Sequence, residues 1–229
     1  MSSNSPPMPD RNTLNRYVER IAAETCDVFG DRVIGVWLLG SLAYGGFGPA
    51  SDVDIQAAVV EPTDEEIARL VERINHRALP CPAAGLEFVL YNVEALRDTT
   101  PPLQWSLNLN GGTTREEKVS TDSTSESWHW FYLDLAIGRE TAKTLIGREL
   151  RDVAGPAGAQ DVRAAIAASL LWHTREDPGS TNQAANAARS LRYLRTGLWG
   201  SKPDALLWAA SHGYSESDVI AELAAEGLS

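Results

Sequence analysis

At 229 residues, 43% of them hydrophobic, the chain has room for a sizeable core, as one large domain or two small ones. A net charge of −11 at pH 7 argues against a nucleic-acid binder, which needs basic surface to displace counterions; an acidic surface draws in a cationic partner instead. Two cysteines without metal-ligand spacing, 4 scattered histidines and no apolar run of membrane-spanning length exclude a zinc site and a membrane segment, and leave a cytoplasmic protein with reduced thiols as the expectation.

Residues 1–10, rich in Ser and Pro, read as a disordered tail. Apolar residues at Leu14, Tyr17, Val18, Ile21, Ala22 and Val28 recur at helical spacing as far as Phe29, and Gly30 ends that helix. Val33–Leu39 is then a buried strand, followed by a Gly40-Ser41 turn, a Gly-rich loop and a second strand opening on Asp52-Val53-Asp54. Side chains alternate along a strand, so Asp52 and Asp54 share one face, roughly 7 Å apart, while Val53 and Ile55 face the core. Two such carboxylates repel unless a cation sits between them, and they are hard oxygen ligands of the kind that hold Mg²⁺ beside phosphate oxygens. Gly40 lets the backbone approach a ligand closely, and the Ser41 hydroxyl and N–H can donate to phosphate. Two solvated Asp residues, or an ordinary Gly-Ser turn, would account for either half alone; both in this order are far more specific. The glycines lead into no Gly-Lys-Ser/Thr and form no Gly-x-Gly-x-x-Gly, which excludes a P-loop and a dinucleotide fingerprint.

Thr63 and Glu66 form a capping box that starts a helix running to about His76, with Ile67, Leu70, Val71 and Ile74 inward. A third strand, Leu86–Val93, carries Glu87. A lone Glu there reads as a half-exposed strand residue; beside a strand bearing Asp52 and Asp54 it completes a metal site or accepts a proton from a hydroxyl nucleophile. Residues 101–110 alternate apolar and polar, as a further strand or a cover over the site. Residues 111–127 are polar and read as a long loop and the domain boundary. Beyond them the chain is Ala-rich, with helices expected over Trp128–Ile146, Asp161–His173, Asn182–Thr196, a fourth capped by Ser201, and Ser215–Glu226. Arg189, Arg192 and Arg195 lie on one helix and Lys202 follows it, as a solvated basic face or as a clamp on a triphosphate. Trp105 and Trp172 read as core packing or as surfaces for stacking on a ligand, and Asp177 as turn chemistry or a partner for a ligand amine.

The pattern is strongest in Leu39-Gly40-Ser41, Ser51-Asp52-Val53-Asp54-Ile55 and Leu86-Glu87-Phe88. It continues through Asp134-Leu135-Ala136-Ile137, Leu145-Ile146-Gly147, Asn182 to Arg189 and Thr196-Gly197 to Lys202. As a whole it resembles the aminoglycoside nucleotidyltransferases of the streptomycin/spectinomycin adenylyltransferase type, from about Leu14 to about Ala209. The resemblance implies an α+β fold: a mixed-sheet nucleotidyltransferase domain over 11–125, then an all-α helical bundle over 126–229. It also implies that Asp52 and Asp54 hold Mg²⁺, that Glu87 is the catalytic base, and that Ser41, Ser51, Arg189 and Lys202 touch ATP.

Taken with the residue-level readings, the metal candidates are Asp52, Asp54 and Glu87, and Gly40 joins the nucleotide contacts. The substrate candidates are Trp105, Trp172 and Asp177. Trp172 matches a family tryptophan that packs on the drug, whereas the acidic residue expected shortly before Asn182 falls on Gly179, with Asp177 the nearest carboxylate. The expected reaction is transfer of AMP from ATP to a hydroxyl of a cationic aminoglycoside, giving antibiotic resistance, by a monomer or weak dimer with no nucleic-acid or membrane partner. Two other readings remain: a nucleotidyltransferase acting on a protein hydroxyl or a metabolite, and a non-catalytic nucleotide-sensing module.

Overall fold

Asp10 accepts a hydrogen bond from the Thr13 N–H at 3.0 Å and so starts α1 (Arg11–Phe29), which ends at Gly30 in a positive-φ conformation. The computed structural model describes residues 9–113 and 115–228; of the expected tail, residues 1–8 lie outside the described residues, and Asp10 belongs to the helix cap. A short 3-10 turn leads into β1 (Val33–Leu38), then α2 (Gly40–Tyr44) and β2 (Val53–Val59). The expected Gly-rich loop is therefore partly helical, because Gly40 adopts φ 62 and turns the chain directly into a helical turn. α3 (Asp64–Ile74) follows with the expected capping box in place: Thr63 accepts from the Glu66 N–H, and Glu66 accepts from the Thr63 N–H.

α3 is the crossover that returns the chain to β3 (Leu86–Asn92), parallel to β2. α4 (Val93–Arg97) leads on to β4 (Leu107–Gly111) and β5 (Lys118–Ser120), an antiparallel hairpin on the far side of β3. The polar stretch expected as one long loop thus contains a strand. The remaining elements are α5 (Trp128–Thr141), β6 (Lys143–Gly147), α6 (Leu150–Val153), α7 (Ala159–Glu176), α8 (Thr181–Thr196), α9 (Lys202–Ser211) and α10 (Glu216–Ala225). The sheet order is β5-β4-β3-β2-β1-β6.

β6 corrects the expectation of one helix over Trp128–Ile146. The helix stops at Thr141, Ala142 is extended, and Lys143–Gly147 pairs antiparallel with β1. Gly138 lets α5 approach the residue after β1, since a Cβ there would lie 2.7 Å from Leu39 Cδ2, and the chain then covers the free edge of β1. Trp37 Nε1 donates to the Arg148 carbonyl at 2.8 Å and pins the segment behind β6.

The sheet has two buried faces. Val53, Ile55, Ala57, Leu86, Phe88 and Leu90 pack with α1 and α3. Trp37, Ala58, Val89 and Tyr91 point the other way, into a core shared with the helices from α5 to α10. The residues between them on that second face, Asp54 and Glu87, therefore look toward the helical half.

Thr63→Ala removes the side-chain half of the α3 cap and should lower stability by about 1 kcal/mol, read as a shift in the urea midpoint with no change in slope.

Candidate active site

Asp52 immediately precedes β2, Asp54 lies on it, and the parallel register sets Asp54 beside Glu87 of β3. Gly40 is packed against this cluster, since a Cβ on it would lie 1.7 Å from Asp54 Oδ2. Its backbone closeness, expected to serve a ligand, serves a carboxylate here. The neighbouring Leu39 N–H donates to the Asp54 carbonyl at 2.9 Å, so β1 and β2 jointly fix the residue. Ser51 Oγ accepts from the Gly48 N–H at 2.9 Å and holds the turn before Asp52. Ser41 lies in α2 and lines, with Leu14, Leu42, Gly45 and Phe47, a cavity of about 210 Å³ between α1 and α2 whose lining includes none of the three carboxylates.

Electrostatics mark the cluster as short of positive charge. Burial and then Glu87 push the Asp52 carboxyl up to about 6. Burial, followed by Glu87, Asp134 and Asp52, raises Asp54 well above the usual carboxylate range, and Asp54 and Glu87 share a hydrogen bond. Asp134, on α5, keeps contact with solvent while much of the chain surrounds it, and that desolvation followed by Glu87 pushes it up to about 6. Asp52 Oδ1 is buried without a hydrogen-bond partner. Hard oxygen donors that repel one another, one of them orphaned, fit a divalent cation. Among the described residues no three of His, Cys, Asp or Glu are gathered closely enough to hold a metal ion together. Two of the carboxylates are instead turned onto Arg115, whose Nη1 pairs with Glu87 Oε1 and Nη2 with Asp52 Oδ2.

The helical half supplies the other cations. Lys202, at the start of α9, donates to Asn182 Oδ1 at 2.7 Å, and Ser201 caps that helix by accepting from the Asp204 N–H. Burial and then the Arg189 charge hold the Lys202 ammonium below its usual value, against the pull of Asp54, Asp134 and Glu87. Arg189, on α8, donates to the Tyr44 hydroxyl at 3.2 Å and to Asn186 Oδ1 at 3.0 Å, which ties the helical half to α2. Arg195, farther along α8, pairs instead with Glu222 of α10 and with Glu226 at its end, at 2.8 and 2.5 Å. The basic stretch therefore divides between a site and a helix–helix tie.

Of the substrate candidates, Trp172 is half-buried and stands edge-on to Trp130, ring centroids 5.1 Å apart. Trp105 is 4% exposed, packs on Phe131 in the core shared with the helices and offers no face to a ligand, which corrects the stacking role considered for it. Asp177 accepts from Ser180 Oγ at 2.5 Å and faces His173 Nδ1 at 3.7 Å, outside the carboxylate cluster. Arg115, Tyr44 and Trp130 carry no motif of their own in the sequence, whereas Asp134 and Asn182 lie in stretches that carry the resemblance without a role assigned to them. Arg115 had no local signal: it is one cation in a polar stretch, placed only by pairing of β4 with β5.

Residues 18–97 match the nucleotidyltransferase domain family. The matched segment contains Gly40, Ser41, Ser51, Asp52, Asp54 and Glu87, while Arg115, Arg189 and Lys202 lie beyond it. No curated protein sequence matches the chain significantly. Among solved structures, the chain is similar to the spectinomycin adenyltransferase AAD(9) from Enterococcus faecialis, crystallised with ATP and spectinomycin. The match has a TM-score of 0.69 and 16% sequence identity, over 92% of this chain and 89% of that one, and shows a shared fold.

Gly40→Ala forces Asp54 to move and strains a positive-φ position, so catalytic turnover should fall by about a hundredfold, the cost of an ångström-scale misplacement, in steady-state assays of a variant that still folds. A second outcome concerns acid. His129, 4% exposed with Nε2 unpartnered, is pushed down to about 4 by burial and then by His173. Its neutral ring therefore contributes stability above its ordinary value of 6.5 that is lost as pH falls toward 4. His129→Phe should gain on the parent in melting temperature as pH is lowered through that window, measured by thermal melts of both proteins.

Proposed function

We propose that the protein is a Mg²⁺-dependent nucleotidyltransferase that moves AMP from ATP to a hydroxyl of a cationic, aminoglycoside-type antibiotic of the streptomycin or spectinomycin kind, and so confers resistance. The observation that carries the reading is the pairing of Asp54 with Glu87 across the β2–β3 register, facing Lys202 and Arg189 of the helical half. A nucleotide-sensing module needs no such carboxylate pair. The domain-family match and the shared fold support the reading, and the relative of that fold binds ATP and spectinomycin.

Asp52, Asp54 and Glu87 would hold Mg²⁺, which supplies charge neutralisation at the phosphates when bound. Ser41 and Ser51 would contact the nucleotide from the sheet side. Lys202, oriented by Asn182, and Arg189, oriented by Tyr44 and Asn186, would take the charge that builds on the departing pyrophosphate. The acceptor oxygen attacks the α-phosphorus, the bond from that phosphorus to the pyrophosphate oxygen breaks, and the hydroxyl proton passes to Glu87. The products are the adenylylated acceptor and pyrophosphate.

In this reading residues 11–125 serve the nucleotide and residues 126–229 supply the triphosphate clamp and the acceptor wall, where Trp172 and Trp130 stand together. The net charge of −11 favours encounter with a polycation. Both cysteines are free, as suits a cytoplasmic enzyme. A different acceptor, a protein hydroxyl or a metabolite, is favoured by one feature: Asp177, the nearest carboxylate to the Gly179 position, is engaged by Ser180.

Pyrophosphate release from Mg²⁺ and ATP, measured with a panel of aminoglycosides and spectinomycin against a blank without acceptor, tests the proposal. Release is expected to depend on one drug class; ATP binding without acceptor-dependent release would remove the antibiotic. Glu87→Gln should keep ATP affinity and lose turnover by about 10²–10⁴-fold, and undiminished turnover would remove Glu87 as the base.

A further inference from the structure

Arg115 stands at the turn of the β4–β5 hairpin, and several contacts fix that turn. The Gly112 N–H donates to the Arg115 carbonyl at 3.3 Å. Gly112 itself is pressed on the loop before β3, where an added Cβ would lie 2.4 Å from both the Ala84 carbonyl oxygen and Gly85 Cα. Glu117 accepts from the His76 N–H at 3.2 Å and ties the hairpin to the end of α3, and Lys118 pairs with Glu126. Gly85 lets the arginine stem pass, since a Cβ there would lie 3.2 Å from Arg115 Cδ and 3.0 Å from Asp52 Oδ1. The backbone thus aims this side chain at Asp52 and Glu87, and its fork closes on one oxygen of each.

We propose that Arg115 is an internal cation that occupies the place of the divalent ion between Asp52 and Glu87, and that it yields when metal arrives with a nucleotide. The proposal rests on the carboxylates being a metal site, as the function above requires. A guanidinium spans two carboxylates with one positive charge and leaves Asp52 Oδ1 unpartnered and Asp54 facing Glu87. It quiets the repulsion without satisfying the site. A bare divalent cation must break both charge-assisted pairs and leave the guanidinium without a counterion. A metal–triphosphate brings its own negative oxygens, on which the released fork can close, so it displaces Arg115 at lower cost. The side chain of Arg115 is 43% exposed, which leaves it room to swing toward the cleft. The consequence is order: bare metal binds weakly, and the loaded nucleotide binds well.

The probe is Mn²⁺, counted as free ion by electron paramagnetic resonance with no acceptor present, for the full chain and its Arg115→Ala, Arg115→Met and Arg115→Lys variants. Removing the fork should tighten binding of bare Mn²⁺ by about tenfold or more, one charge-assisted pair's worth, in both the Ala and Met variants. Lys, a single charge without a fork, should fall between them and the parent. Addition of ATP should tighten Mn²⁺ binding more in the parent than in the Ala and Met variants. Bare Mn²⁺ binding no tighter in either variant than in the parent overturns the proposal, and acceptor-dependent pyrophosphate release by the parent would then leave the function standing. Tightened Mn²⁺ binding without such release for any acceptor would uphold Arg115's role and remove the function.

Discussion

Asp52, Asp54 and Glu87 repel one another and cannot move apart, because backbone hydrogen bonding holds them together. Asp54 and Glu87 are neighbours in a parallel ladder, and slipping that ladder by one residue would turn Ile55 and Phe88 out of the core that packs on α1 and α3. The apolar residues between the acids therefore enforce the repulsion. Gly40 closes the remaining escape on the β1 side. Everything else around the cluster can be understood as a response to confined negative charge: Arg115 from the hairpin, Lys202 and Arg189 from the helices, and a raised proton affinity in Asp52, Asp54 and Asp134.

The two halves of the molecule are joined by packing as well as by charge. β6, which comes after α5, returns to the sheet, and Trp37, Val89 and Tyr91 lie in one core with residues of α7 and α8. Such a core positions Lys202 and Arg189 against the carboxylates without long flexible reach. The hydrogen bond from Arg189 to Tyr44 crosses from the helical half to the turn that carries Ser41. Cations delivered from a second body of the chain are well suited to a polyphosphate lying between the two, since each side contributes one sign of charge.

The wall proposed for the acceptor is built differently. Trp130 and Trp172 present aromatic edges and faces beside His173, and Asp177 is occupied by Ser180. The carboxylate cluster is thus specified by charge fixed on strands, whereas the wall proposed to receive the acceptor is aromatic and lies on helices α5 and α7.

By itself the sequence determined what short-range periodicity can determine. Alternation placed Asp52 and Asp54 on one face, the Thr63–Glu66 box started α3, Ser201 capped α9, and the apolar stripes of α1 and α3 told inside from outside. Only the tertiary structure decided what depends on which strands meet. The parallel β2–β3 register brought Glu87 to Asp54 from 33 positions away in the numbering, and the β4–β5 pairing delivered Arg115 from a stretch with no pattern of its own. β6 is only five residues, Lys143–Gly147, too short to show a period of its own directly after the α5 pattern, and it is a strand because β1 leaves an open edge. Trp105 was ambiguous for the same reason: an indole in an extended segment is core or ligand surface according to what packs over it, and Phe131 does. Local preference acts over a few residues, while pairing partners and burial are set by the whole chain.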